Sequence, residues 1–168
     1  MEKTQCYVGA PNGVVLCVDC TEDRCISGRL YHAYSREAVA FHNMDEVLFL
    51  VEQLYDGLNF PHPTVNSRTF DGAQQRIPVK ERTKIMKDEE LLSKHGDMGT
   101  FIIRVQHRQN SSWQGRITWM EKDKTVNFRS IWEMIKLVDS ALNTVSEQEG
   151  GTVELQWEDE EAQGESES

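Results

Sequence analysis

The sequence predicts an α+β protein built from two tandem βββα repeats, with antiparallel sheets each backed by a helix and related by a pseudo-two-fold axis. Three observations predict it. Residues 28–51 align with residues 115–138 at a constant offset of 87, with Gly28/Gly115, Arg29/Arg116, Val39/Val126, Phe41/Phe128, Glu46/Glu133, Leu50/Leu137 and Val51/Val138 identical. An internal match of this kind sets architecture before it says anything of function. Upstream, Val14, Leu16 and Val18 stand opposite Phe101, Ile103 and Val105, the alternation of a half-buried strand. Finally, Asn43 with Glu46 and Ser130 with Glu133 place an N-cap and a capping-box acid before the apolar stripe of each copy.

In the first copy, residues 14–20, 28–34 and 38–41 read as strands, and Met44, Val47, Leu48, Val51 and Tyr55 fall on one helical stripe. Asn59-Phe60-Pro61-His62-Pro63 ends that helix by removing donors and disfavouring helical geometry. Residues 64–99 read as a polar connector, with Arg76, Lys80, Arg82, Lys84 and Lys87 and a short helix near 87–94. In the second copy a strand over 101–106 meets the turn residues Gln109-Asn110-Ser111-Ser112. A strand over 113–120, a polar turn over 121–124 and a short strand over 125–128 follow. The helix after Ser130 has the stripe Ile131, Met134, Ile135, Val138 and Leu142. Residues 147–168, with few apolar anchors beyond Val153, Leu155 and Trp157, read as a disordered acidic tail. The predicted organisation is a first repeat over 1–58, a polar connector over 59–99, a second repeat over 100–146 and the tail over 147–168.

The formal net charge of -10 argues against nucleic acid only until its distribution is examined. Nine of the 28 acidic residues lie in 147–168, which holds no Lys or Arg, so the body is near neutral. Residues 100–146 carry seven Lys/Arg against four Asp/Glu, which makes the second repeat locally basic. The longest apolar run, residues 47–51, is far short of the ~20 residues that span a bilayer. With no secretory h-region after Met1-Glu2-Lys3, a soluble cytoplasmic protein is expected.

Cys6, Cys17, Cys20 and Cys25 all fall early in the chain, and in a leaderless protein they read as reduced thiols. The Cys17, Cys20, Cys25 spacing raises zinc or an iron–sulfur site, with His32 or His42 as a fourth ligand. Strand geometry argues against it, because side chains at i and i+3 point to opposite faces. The second copy has Arg104, His107 and Ser112 at those positions. No metal and no cofactor are expected. The chain contains no P-loop, no dinucleotide glycine motif, no H-E-x-x-H and no nucleophile elbow, so no enzyme is predicted.

Strand parity in the second copy points to a binding surface. With Phe101, Ile103, Val105, Ile117, Trp119, Val126 and Phe128 toward the helix, the opposite face carries Arg104, Gln106, Arg108, Arg116, Thr118, Asn127 and Arg129. Four guanidiniums with amides between them suit phosphate or carboxylate oxygens. The first copy's face, with Val15, Cys17, Asp19, Arg29, Tyr31, Ala38, Ala40 and His42, is less basic. Trp132, off the buried stripe, is a second candidate contact, and Trp113, beside Gln114-Gly115 near a strand start, is a candidate either to stack a base or to plug the sheet edge. The predicted binding set is therefore Arg104, Gln106, Arg108, Trp113, Arg116, Asn127, Arg129 and Trp132.

The stretches FIIRVQHRQNSSWQGRITWMEKDKTVNFRSIWEMIKLVDSAL and GRLYHAYSREAVAFHNMDEVLFLVEQLY resemble an uncharacterised family of small bacterial proteins with duplicated strand-strand-strand-helix repeats. That resemblance implies the domain organisation and no activity. In architecture alone, the duplicated unit is similar to the PUR and whirly type of single-strand nucleic-acid binders, whose units usually have four strands. The expected function is a non-enzymatic binding or regulatory protein acting through protein contacts. The alternative is a single-stranded nucleic-acid binder that uses the basic sheet face of the second repeat.

Overall fold

The structure, a computed structural model, describes residues 11–65, 68–72 and 83–148. It is an α+β fold with one six-stranded antiparallel sheet and three helices. In chain order the elements are β1 (Val14–Glu22), β2 (Cys25–His32), β3 (Val39–Phe41), α1 (Met44–Leu58), α2 (Asp88–Leu92), β4 (Gly99–His107), β5 (Gln114–Trp119), β6 (Lys124–Phe128) and α3 (Ile131–Gln148), with a 3₁₀ turn at Met120–Lys122. The strand order is β3-β2-β1-β4-β5-β6.

The expectation of two three-stranded sheets is corrected. β1 and β4 pair antiparallel from Val14↔Ile103 to Val18↔Gly99 and fuse the halves into one sheet. The cause is legible in β1, which is apolar on both parities. Val14, Leu16 and Val18 enter the core beneath the long helices, while Val15 and Cys17 are equally buried on the other face. A strand that buries both faces belongs in a sheet interior, and central pairing leaves it no open edge.

α1 and α3 cover one face, and Val47, Val51, Met134 and Val138 meet Leu16, Phe101, Ile103 and Ile117 there. Phe41 and Phe128 close the two outer strands over this core at almost equal burial. Both helices start with reciprocal caps. Asn43 Oδ1 accepts from the Glu46 amide at 2.9 Å while Glu46 Oε2 accepts from the His42 amide at 2.8 Å. Ser130 Oγ accepts from the Glu133 amide at 3.1 Å and Glu133 Oε1 from the Arg129 amide at 3.3 Å. Each box satisfies one orphan donor of the first turn, and its acid reaches back to the amide just before the cap residue.

Positions related by the 87-residue offset share their ladder partners. Val18↔Gly28 and Gly28↔Phe41 match Val105↔Gly115 and Gly115↔Phe128. Register shifts fall at Val18/Cys20 and again at Val105/His107. A Cβ on Gly28 would run into the Cys17 carbonyl oxygen, and one on Gly115 into that of Arg104, so the backbone approach in both places requires glycine.

The second face of the sheet is partly covered. Met86 and Leu91 pack on Val15, Cys17, Tyr31, Ala33 and Ile102, and the Ile85 and Met86 amides both donate to the Ala33 carbonyl. The segment read as a polar connector therefore contains a buried cover, formed where α2 turns Leu91 inward and Glu89 outward. The predicted helix near 87–94 is α2. The predicted tail lies outside the described residues except for 147 and 148, which end α3. Among the described residues no helix is long and apolar enough to cross a membrane.

Candidate functional site

Ile103, Val105, Ile117 and Phe128 are committed to the helix-side core, so the period of two sends Arg104, Arg116 and Asn127 to the other face. Register then sets them in a row, since Arg104 pairs with Arg116 across β4 and β5, and Arg116 pairs with Asn127 across β5 and β6. Arg116 and Asn127 are exposed and Arg104 half-buried. Exposed Gln106 stands in the irregularity between Val105 and His107. Beside the row, the Thr118 and Thr125 hydroxyls hydrogen-bond each other at 2.8 Å. Among the described residues neither Arg104 nor Arg116 has an ion pair or hydrogen bond from its side chain. Like charges placed directly opposite in a ladder repel each other, and among the described residues no acid forms an ion pair with either.

Arg108 does not share this face, which corrects the parity reading. The irregularity after Val105 adds a residue to β4 and reverses the alternation beyond it. Arg108 is consequently 4 % exposed, and its Nη1 contacts Asp56 Oδ1 at 2.7 Å and Glu52 Oε2 at 3.0 Å. Its Nε donates to the Pro61 carbonyl at 2.7 Å, and the guanidinium lies 5.7 Å from the Tyr55 ring centroid. Nη2 is buried with no hydrogen-bond partner among the described residues.

Trp113 is also inside, fully buried, edge-on to Tyr55 at 5.9 Å and donating Nε1–H to Glu52. It is not placed to stack a base. Arg129 sits past the end of β6, exposed, with Glu133 3.1 Å away. Trp132 is 64 % exposed on α3, where Lys136 Nζ lies 5.5 Å from its ring centroid, on the helix layer rather than the open sheet face. Of the eight predicted residues, Arg104, Arg116 and Asn127 come together with Gln106 at one end. Arg108, Trp113, Arg129 and Trp132 stand elsewhere.

The equivalent place in the first half is closed. Arg29, at the position of Arg116, grips Asp19 through Nε–Oδ2 at 3.0 Å and Nη2–Oδ1 at 3.1 Å, the bidentate fork that guanidinium and carboxylate favour. Its Nη1 donates to Tyr31 Oη at 2.9 Å and its Nη2 to the His95 carbonyl at 2.8 Å. The Asp97 amide donates to Asp19 Oδ1 at 3.1 Å. The hydrogen bond from Arg29 holds the Asp19 carboxyl below its ordinary pKa, with the Asp97 amide adding to the effect against desolvation. Sequence reading placed Asp19 and Arg29 on one face but missed their pairing. The available signal was the offset alignment itself, in which Asp19 corresponds to Gln106 and Cys17 to Arg104.

Burial pushes the Cys17 thiol up to about 11. Cys20 and Cys25 are exposed, and Cys25 Sγ donates to the His42 carbonyl at 3.1 Å. Among the described residues no group of three or more His, Cys, Asp or Glu side chains is assembled for a metal ion, and Cys6 lies outside them. Beside β3, a shallow groove is lined by Ala40, His42, Glu46, Phe49, Leu50 and Gln53. Its one imidazole is tied to Glu46 at 3.2 Å. Comparison with family models, curated proteins and solved structures finds no match to this chain.

Proposed function

We propose that this chain is a non-enzymatic binding or regulatory protein acting through protein contacts, and that the open face of β4–β6 is its contact surface. The observation that carries this reading is Arg104 opposite Arg116 in the β4–β5 ladder, two arginines whose side chains have no hydrogen-bond or ion-pair partner among the described residues. An anionic group bridging both relieves their repulsion and uses the forks already presented. Gln106 and Asn127 flank the pair with donors and acceptors that adapt to a peptide or carboxylate.

We also infer that β1–β3 with α1 and β4–β6 with α3 are duplicated βββα units. The shared ladder partners, caps, register shifts and glycines support this. Duplication gives the surface a rationale, since one copy closes its arginine on its own Asp19 and the other replaces that acid with Gln106.

A single-stranded nucleic acid would use the same arginines, but it also gains from aromatic platforms. Trp113 is buried and Trp132 stands on the helix layer, so protein contact is the preferred reading. The test is affinity capture from native lysate with the native chain and with Arg104→Gln/Arg116→Gln, with and without nuclease. A protein captured in the presence of nuclease and lost with the double variant is expected. Capture that disappears on nuclease treatment transfers the surface to nucleic acid, and capture indifferent to both arginines removes it.

A further inference from the structure

Resting on that reading of the β4–β6 face, we infer that Arg104 and Arg116 form a carboxylate site, occupied in the resting protein by the chain's own acidic segment 158–161.

The ligand class follows from the first half of the sheet. At the position of Arg116, Arg29 holds a carboxylate with two bonds of 3.0 and 3.1 Å. The acid comes from the β1 position that corresponds to Gln106. Replacing Asp19 by an amide in the second copy removes the internal counter-charge and keeps the arginine. Arg104 then adds a second guanidinium where the first copy has Cys17. The face thus offers two forks and lacks its carboxylate, so a ligand bearing two neighbouring carboxylates completes it.

Charge and reach nominate the occupant. After Gln148, where α3 ends, residues 149–168 carry eight acidic side chains and no Lys or Arg. Four of the acids are consecutive, Glu158-Asp159-Glu160-Glu161. Nine residues lie between Gln148 and Glu158, so Glu158 can stand up to about 33 Å from Gln148 and Glu161 up to about 43 Å. α3 packs on the other face of the sheet with Leu142 beside Gly99, five residues from Arg104 along β4, so the segment must pass the sheet edge and run about 17 Å back along the strands to reach the pair. A tether that spans this path makes the contact intramolecular, so the tail competes with partners at an effective concentration set by its length. A partner must then displace the tail, which makes the site selective for more strongly or more favourably spaced anionic segments.

The experiment compares the full chain with a full-length variant carrying Glu158→Gln, Asp159→Asn, Glu160→Gln and Glu161→Gln. The probe is a labelled synthetic peptide of residues 156–163, followed by fluorescence anisotropy. The neutralised-tail variant is expected to bind the probe about tenfold more tightly than the native chain. That difference should vanish at about 1 M salt, and Arg116→Gln in the variant background should abolish binding. Equal affinity of both chains, still lost with Arg116→Gln, overturns occupation by the tail and leaves the face as a binding surface. Probe binding insensitive to Arg116→Gln, or no binding to either chain, overturns the carboxylate site itself. Inorganic phosphate displacing the probe at equal charge concentration overturns the assignment to carboxylate.

Discussion

Val15 lies directly opposite Ile102 at the centre of the β1–β4 ladder, and the two positions are related by the same offset of 87 that aligns the halves. Val14 then faces Ile103 and Leu16 faces Phe101, so each half presents the equivalent stretch of strand to the other. Antiparallel pairing of equivalent positions is what a two-fold operation through the sheet generates. α1 and α3 both lie on one face, and the opposite face differs between the halves, covered by Met86 and Leu91 in one region and carrying half-buried Arg104 and exposed Arg116 in the other.

Gly28→Ala and Gly115→Ala should each lower stability by about 1 to 3 kcal/mol or more, because each added methyl meets a neighbouring carbonyl oxygen. Urea unfolding of the two variants checks this. Comparable losses are the expected outcome, and a neutral substitution at either site contradicts the equivalence of the two backbone approaches.

The Asp19–Arg29 contact gives a signed pH dependence. The folded-state pKa of Asp19 is depressed, chiefly by the hydrogen bond from Arg29. Its contribution is therefore present above the unfolded carboxylate value near ~3.9 and is lost as pH falls through the lower folded value. Asp19→Asn should cost about 1 kcal/mol or less at neutral pH, since Arg29 is more than a third exposed and the pair is screened. The difference between native and variant in urea midpoints should shrink from about pH 5 downward, and a difference that grows in acid would reverse the assigned sign.

Burial and the raised pKa make Cys17 a poor nucleophile at neutral pH. Alkylation followed by peptide mapping should label Cys20 and Cys25 in the native protein and Cys17 only after unfolding. Rapid native labelling of Cys17 would mean that the Met86–Leu91 cover opens readily.

Arg108→Ala removes the charge that holds Glu52 and Asp56 to the end of β4 and leaves the Pro61 carbonyl without its donor. A loss of about 2 to 4 kcal/mol is expected, moderated because both carboxylates are partly exposed. Thermal unfolding measures it. Arg108→Ala should leave probe binding at the Arg104–Arg116 row unchanged, which separates the internal arginine from the two on the open face.

Strands, helices and caps were legible because each rests on a local pattern, such as the alternation at Val14, Leu16 and Val18 or the boxes at Asn43/Glu46 and Ser130/Glu133. The fusion into one sheet was hidden because β1 was read by its alternating set, whereas Val15 and Cys17 also demand burial. Arg108 was misplaced for a related reason. Simple parity holds only to Val105, and the shift before His107 carries no residue signature of its own beyond Gly115 opposite. Its acidic partners, Glu52 and Asp56, lie 56 and 52 positions away on α1, a separation that neither strand nor helix periodicity addresses. Arg104, Arg116 and Asn127 were found correctly as neighbours because all three precede the irregularity or face it from regular strands.

The most direct test of the binding face is a titration of the full chain with polyglutamate and, separately, with a single-stranded oligonucleotide at low and high salt. The native chain should bind polyglutamate in a salt-sensitive manner and more tightly than the oligonucleotide, and Arg104→Gln/Arg116→Gln should reduce that binding at least about tenfold. Undiminished polyglutamate binding by the double variant would contradict the assignment of this surface to Arg104 and Arg116.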